Sequence, residues 1–293
     1  MTASQDTGRA GGVLFRGGFG RASAVLPGTL LLTLLLAQSL GPARAEAPTG
    51  LVLAYRVYAG GFHALSFRTE VSLGSESYAA RLAARSDGLL DALLRFSLEA
   101  EVAGRALAGG LAPTRFRSAN RWRESGERLV EISYAPDGLP EARVEPPAEQ
   151  DERDPVPDGL RRGTLDPISA VLSLVRGLAE HGRCEAKARV FDGRRRFDLL
   201  ASDLGEAELA PSPAAPFAGK ATRCRIGFRP VSGFWKDDRR ADAGTREIEV
   251  YLARVVPGGP PVPVRLEAQN DFGALRIHLV SADALGAGPG GPP

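Results

Sequence analysis

The chain has 293 residues, and its 37 basic and 35 acidic residues leave a formal charge of +2. Residues 1–45 contain four Arg and a single acidic residue, so the rest of the chain is close to neutral. This balance argues against a nucleic-acid-binding protein. The length beyond residue 45 is enough for one large all-β domain or two small domains.

Residues 1–45 have the pattern of a cleavable export signal. An apolar run at residues 24–40 follows three Arg and precedes Ala43-Arg44-Ala45, a small-x-small sequence of the kind that signal peptidase cleaves. The apolar run is short for a membrane span. We therefore expect a periplasmic protein that is not an integral membrane protein after cleavage, with an uncleaved anchor as the alternative.

Most of the remaining chain, residues 46–283, alternates apolar and polar residues with a period of two, which predicts strands. In "HALSFRTEVSL", Leu65 and Phe67 share one face of such a strand while charged residues occupy the other. Roughly eleven or twelve segments of this kind predict one antiparallel sheet with a wetted face. Residues 145–163, acidic and rich in Pro, are expected to form a mobile loop, and residues 284–293 a disordered tail.

One segment, Thr164 to Cys184, departs from this pattern because its apolar residues recur with a helical spacing. Asp166 and Pro167 are typical of a helix start, and Gly182 is typical of a helix end. We predict an amphipathic helix whose apolar stripe covers the concave face of the sheet like a plug. The stripe consists of Ile168, Val171, Leu172, Val175 and Leu178.

The chain has two cysteines, Cys184 directly after the predicted helix and Cys224 in a later predicted strand. In an oxidising compartment an even pair predicts a disulfide, which here would tie the helix to the sheet. A redox-active or metal-binding pair is the alternative. It lacks both the C-x-x-C spacing and a set of further ligands.

Two groups of arginines deserve a functional interpretation. The first is a row on one face of a predicted strand, formed by Arg115, Arg117, Arg121 and Arg123. This row is a candidate contact for an anionic head group or phosphate, and cross-strand pairing with Glu127 and Glu131 is the alternative. The second group, Arg194 to Arg196, follows a predicted hairpin tip and is expected to be solvated.

The sequence contains no recognisable catalytic motif and no phosphate-binding loop ahead of a predicted helix. Its three histidines are scattered along the chain, which does not suggest a zinc site. We therefore expect no catalytic, metal-binding or cofactor-binding residues, and a protein that is not an enzyme.

Several segments resemble the bacterial exported family called domain of unknown function 3108. They include "LDPISAVLSLVRG", "RVFDGRRRFDLL" and "FAGKATRCRIGFRPVSGF", and the resemblance covers nearly all of Leu51 to Val280. It implies a periplasmic protein with a curved antiparallel sheet, similar to the lipoprotein-carrier and β-spiral folds of the bacterial envelope. It implies no catalytic residues.

Together these features predict a mainly β protein in which a curved antiparallel sheet forms an open or half barrel. One central amphipathic helix is expected to pack on its concave face. The expected function is that of a non-enzymatic periplasmic envelope protein that binds a lipid or a lipoprotein acyl chain in the concavity. The alternative is a structural or scaffolding envelope factor that docks a protein partner and has no ligand cavity.

Overall fold

The computed structural model describes residues 50–285 except 89–90, 93–94, 124–125, 148–152, 236–245 and 271–272. The predicted signal peptide and all but the first residues of the predicted tail lie outside these described residues. The chain divides into two units, Met1–Arg44 and Ala45–Pro293, and the fold below is that of the second unit.

Within the described residues, thirteen strands form one sheet. The strands are β1 (Gly50–Ala59), β2 (Phe62–Leu73), β3 (Ser77–Ser86), β4 (Ser97–Leu107), β5 (Gly110–Trp122), β6 (Gly126–Tyr134), β7 (Pro140–Glu145), β8 (Ala186–Phe191), β9 (Arg196–Leu209), β10 (Gly219–Ser232), β11 (Arg246–Ala253), β12 (Val262–Asn270) and β13 (Gly273–Ala284). Between β7 and β8 lie a short helix, α1 (Asp158–Arg161), and a longer one, α2 (Pro167–His181).

All the strand pairs are antiparallel, and each strand pairs with its neighbours in the chain, apart from β7 with β8. Strand β1 also pairs with β13, so the order runs from β7 to β1 and then from β13 to β8. The two edge strands are therefore β7 and β8, and the segment with both helices connects them. This confirms the predicted curved antiparallel sheet with one long helix.

The alternation of buried and exposed residues follows the predicted period of two. In β3, Tyr78, Ala80 and Ala84 are buried, whereas Arg81 and Arg85 on the opposite face are exposed. Successive side chains of a strand point to opposite faces, so one face of the sheet supplies the core and the other meets water.

Helix α2 begins and ends where the sequence predicts. The carboxylate of Asp166 accepts hydrogen bonds from the backbone N–H groups of Ile168 and Ser169, at 3.0 and 2.9 Å. At the other end Gly182 has a left-handed conformation, φ 70°, which glycine adopts without steric cost. These caps satisfy backbone groups that a helix end otherwise leaves without partners.

The helix packs on the core through several sides rather than through one stripe. Leu172 contacts the core cluster that includes Phe116 and Ile132. Ala170 packs against β8, and Leu178 packs near the two cysteines. Ile168 and Val175 are half-buried members of these clusters, as predicted. The prediction was wrong for Val171, whose surface is 47% exposed. The parts of α2 that pack on these clusters do not include Val171, so its side chain stays open to water.

The predicted loop of residues 145–163 contains more structure than its composition suggests. Its described end includes α1, a buried Val156, and a bridge between Arg153 and Trp235 of the segment after β10. The apolar side chain and the bridge anchor this end to the sheet, although Pro and acidic residues predict no regular structure. The mobility of the loop stays a prediction.

Across the described part of the chain, every helix is too short or too polar to cross a membrane.

Candidate functional site

The most distinctive place in the sheet is the gap between its edge strands β7 and β8, which we call the seam. The turn between β8 and β9 reaches across the seam and lies against Val130 and Val144. Its Gly193 is so close to them that an added Cβ atom would lie 2.5 Å from Val130 and 3.7 Å from Val144. A guanidinium nitrogen of Arg194 donates to the carbonyl oxygen of Pro146 at 2.7 Å. Side chains and single hydrogen bonds thus bridge the seam without pairing of β7 to β8.

The chain that leads into α2 lies along the β8 side of the seam. The backbone N–H of Leu165 donates to Arg189 O at 2.8 Å, and that of Phe191 donates to Leu165 O at 2.9 Å. Two residues earlier, the N–H of Gly163 donates to Gly138 O in the turn before β7, at 2.9 Å. Residues 163–165 therefore connect both sides of the seam and cover part of the open edge of β8.

A pocket of about 380 Å³ opens at the seam. Its apolar lining includes Val144, Val156 and Phe191. Its charged lining consists of Arg153, Asp154, Arg161 and Arg194. The volume lies within the range of small-molecule sites, roughly 300–1,000 Å³, and such sites commonly combine an apolar lining with a few polar groups.

Neighbouring groups hold two of these arginines in place. The guanidinium of Arg153 lies 3.7 Å from the ring centre of Trp235 and donates to Gly233 O at 3.1 Å. That of Arg161 donates to Pro140 O at 3.2 Å and also pairs with Asp158. Both side chains are therefore ordered before any ligand binds, which reduces the entropy lost on binding.

Beneath the start of α2 lies a buried polar cluster that the sequence did not predict. The Ser169 hydroxyl donates to the second oxygen of Asp166 at 2.5 Å and lies 2.6 Å from the hydroxyl of Tyr78 on β3. Burial raises the pKa of Asp166, and the hydrogen bonds from Ser169 and the backbone partly offset that effect. Burial likewise raises the pKa of Tyr78 and of Tyr134. The cluster fastens the start of α2 to β3.

A second unpredicted cluster surrounds Asp198 on β9. Its carboxylate pairs with Arg196 at 2.7 Å, with Lys187 at 3.3 Å and with Arg229. The expectation that the run Arg194 to Arg196 is solvated is wrong for Arg196, which is only 4% exposed. Its guanidinium pairs with Asp198, which shares its face of the strand, and its Nε donates to Leu160 O of α1 at 3.2 Å.

The predicted row of arginines lies on the water-facing side of β5 and just after it. Arg115 pairs with Glu101 at 3.6 Å, Arg117 with Glu131 at 3.6 Å, and Arg121 with Glu127 at 2.5 Å. Arg123 donates to Ala92 O at 2.5 Å. The pairs with Glu127 and Glu131 are those of the cross-strand alternative, and an anion contact at this row stays a prediction.

The predicted disulfide between Cys184 and Cys224 is present, with the two Cα atoms 5.8 Å apart. It joins Cys184, in the short segment between α2 and β8, to β10 and packs with Leu178 of the helix. The described residues contain no group of three or more His, Cys, Asp or Glu side chains that could hold a metal ion. Cys184 and Cys224 form the disulfide between the end of the helix and the sheet that the sequence predicted.

Sequence reasoning missed the seam pocket because its walls come from β7, the segment before α1, α1 itself and the β8–β9 turn. Each part is short, and no local pattern indicates that these parts meet. The only available signal was the turn sequence Asp192-Gly193, which predicted the hairpin but not the strand that its tip contacts.

No curated protein matches the chain in sequence. Among solved structures, a crystal structure of a β-barrel-like protein of the domain of unknown function DUF1849 from Brucella abortus is similar, with 16% sequence identity and a TM-score of 0.47. The alignment covers 81% of this chain and 98% of that one. The model of the family DUF3108, described as a protein of unknown function, matches residues 54–280. Since this match covers most of the chain, the protein belongs to the DUF3108 family.

Proposed function

We propose that the protein is an exported, non-enzymatic component of the bacterial cell envelope that binds a lipid or a lipoprotein acyl chain where its curved sheet stays open. The observation that carries this proposal is the seam pocket, with Val144, Val156 and Phe191 in its lining. Removing an apolar chain from water stabilises its complex by about 25 cal/mol per Å² of buried apolar surface. The basic, apolar and small-x-small pattern of residues 1–45 supports export.

A second candidate function is that of a scaffolding envelope factor that docks a protein partner. One observation favours it: side chains already fill the concave face beneath α2, where Ala170 and Val190 are fully buried. On this hypothesis the seam pocket is a surface depression without a ligand of its own. The two functions differ in whether the isolated protein carries a lipid.

Native mass spectrometry of the protein purified from the periplasmic fraction of a bacterial host tests both functions. We expect the mass of residues 46–293 together with one lipid-sized adduct at fixed stoichiometry. Protein that is free of ligand and takes up no lipid on titration would favour the scaffolding function. Full-length protein that stays in the cytoplasm would refute the export proposal.

A matched pair of variants connects the adduct to the pocket. Val144→Asp places a charge in the apolar lining, so we expect the adduct to disappear because an ion is strongly disfavoured beside an acyl chain. Val171→Asp makes the same change at an exposed helix position outside the pocket lining and should retain the adduct. Equal adduct levels in both variants would place the lipid elsewhere in the protein.

A further inference from the structure

We infer that one end of the curved sheet, which we call the aromatic rim, docks on the surface of a phospholipid bilayer. The aromatic rim is defined by four side chains, those of Phe62, Phe96, Trp122 and Trp235. This inference goes beyond the proposed function, because it concerns an outer surface of the protein and does not depend on a ligand in the seam pocket.

Strand pairing brings these four side chains to the same end of the sheet. In an antiparallel sheet successive connections lie at alternate ends, so those that follow β1, β3, β5 and β10 share one end. Phe62 begins β2, and Trp122 ends β5. Phe96 lies just before β4, and Trp235 lies just after β10.

The exposed aromatic side chains of the described residues all lie at this end. Phe62 is 77% exposed, Trp122 40% and Trp235 42%. At the opposite end the large exposed apolar side chains are the aliphatic Leu107 and Leu285. Aromatic side chains are enriched where proteins meet a membrane surface, because their rings are favoured at the level of the lipid head groups.

The spacing of the exposed rings favours a bilayer over a protein partner. Neighbouring strands lie about 4.8 Å apart, so Phe62 and Trp122, three strands apart, are separated by about 14 Å along the sheet. Trp235 lies in the other direction, five strands or about 24 Å from Phe62. A protein interface needs a closely packed centre, whereas a bilayer accepts separate side chains that lie at one level.

Two arginines beside the rings of the rim suit the phosphates of lipid head groups. The ring centres of Phe96 and Trp122 are 4.5 Å apart, and Arg95 directly precedes Phe96. Arg128 shares the face of Trp122, because Gly126, two residues earlier, pairs with Trp122. Both arginines are exposed, and neither pairs with an acidic side chain in the part of the chain that the structure describes. Guanidinium groups bind phosphate well.

Intrinsic fluorescence tests this inference directly, because Trp122 and Trp235 are the two Trp residues of the chain. The test uses residues 46–293, since the apolar run at residues 24–40 lies in the other unit and would itself bind a bilayer. The probe is vesicles of equimolar phosphatidylcholine and phosphatidylglycerol. We expect them to shift the Trp emission to shorter wavelength, and brominated acyl chains to quench it, because both rings leave water.

A matched pair of variants assigns vesicle binding to the aromatic rim. Phe62→Ser removes an exposed ring and should weaken binding about tenfold in co-sedimentation. Leu107→Ser removes an exposed apolar side chain from the opposite end and should leave binding unchanged. Circular dichroism checks that both variants fold, and the quenching of the unchanged protein provides a test that needs no variant.

Absence of vesicle binding would overturn the inference. Binding without a change in Trp emission, or equal losses in the two variants, would place the contact elsewhere and overturn it as well. The proposed function is decided separately. Vesicle binding through the rim by protein that carries no lipid adduct would support this inference and count against the proposed lipid ligand.

Discussion

At the scale of single residues, Asp198 shows how one buried carboxylate holds several strands together. It lies on β9 and pairs with Arg196 on the same strand, Lys187 on β8 and Arg229 on β10. Burial opposes its ionisation, but the hydrogen bonds and charges of these three cations outweigh burial and lower its pKa to about 2. The ionised carboxylate is therefore part of the folded structure over the whole physiological pH range.

Replacing this carboxylate should destabilise the protein strongly. Asp198→Asn leaves Arg196 buried beside an uncharged amide, and we expect a loss of about 3–5 kcal/mol in the free energy of unfolding at pH 7, measured in urea. Glu180→Gln is the control, because it removes an exposed partner of Arg176 and should cost less than about 1 kcal/mol.

The effect of Asp198→Asn should also depend on pH. The pKa of the carboxyl is lower in the folded than in the unfolded protein, so its stabilisation is complete above about pH 4 and is lost as pH falls towards 2. The difference between wild type and variant should be smaller at pH 3 than at pH 7 by about 1 kcal/mol. A difference that does not change with pH would show that the carboxylate is not preferentially ionised in the folded state.

At the scale of secondary-structure elements, the packing of α2 against the sheet contributes to the stability of the fold. Leu172 lies in the core cluster with Phe116 and Ile132, whereas its neighbour Val171 is largely exposed. Leu172→Ala should therefore lower the free energy of unfolding by about 2–5 kcal/mol, because it removes buried methyl groups and leaves a cavity. Val171→Ala should change it by no more than about 0.5 kcal/mol.

Both variants introduce Ala, the residue with the highest helix propensity, so a loss of stability in either one reflects packing and not helix formation. Urea denaturation followed by circular dichroism measures both. Similar losses for the two variants would mean that α2 is buried on the side of Val171 as well, for instance by a partner or a second copy of the chain.

The sequence predicted the elements better than their contacts, and Val171 shows why. A period of two or a capping residue depends only on neighbours in the chain, so the strands and the ends of α2 at Asp166 and Gly182 were predictable. Predicting one apolar stripe assumes that a helix packs on a single surface. Here Ala170 packs on β8 while Leu172 packs on a different cluster, so the stripe was only partly right.

At the scale of the whole molecule, the outer face of the sheet has an alternating row of charges. In the register of β2 to β7, each member faces an opposite charge on the adjacent strand. The row consists of Glu70, Arg81, Glu101, Arg117, Glu131 and Arg143. Opposite charges on facing positions stabilise a sheet, and like charges destabilise it, so this row supports the register of six strands.

Reversing one charge in the middle of the row tests this contribution. Glu101→Lys would face Arg81 and Arg117 on both sides, and we expect a loss of about 1 kcal/mol in the free energy of unfolding at low salt. In 1 M NaCl the loss should shrink to less than half, because salt screens charges beyond about 3 Å. Glu99→Lys is the matched control on the same face of β4, since it faces Ala83 and Ala119 and should change stability little. Equal, salt-independent losses in both variants would assign the effect to β4 itself rather than to the row.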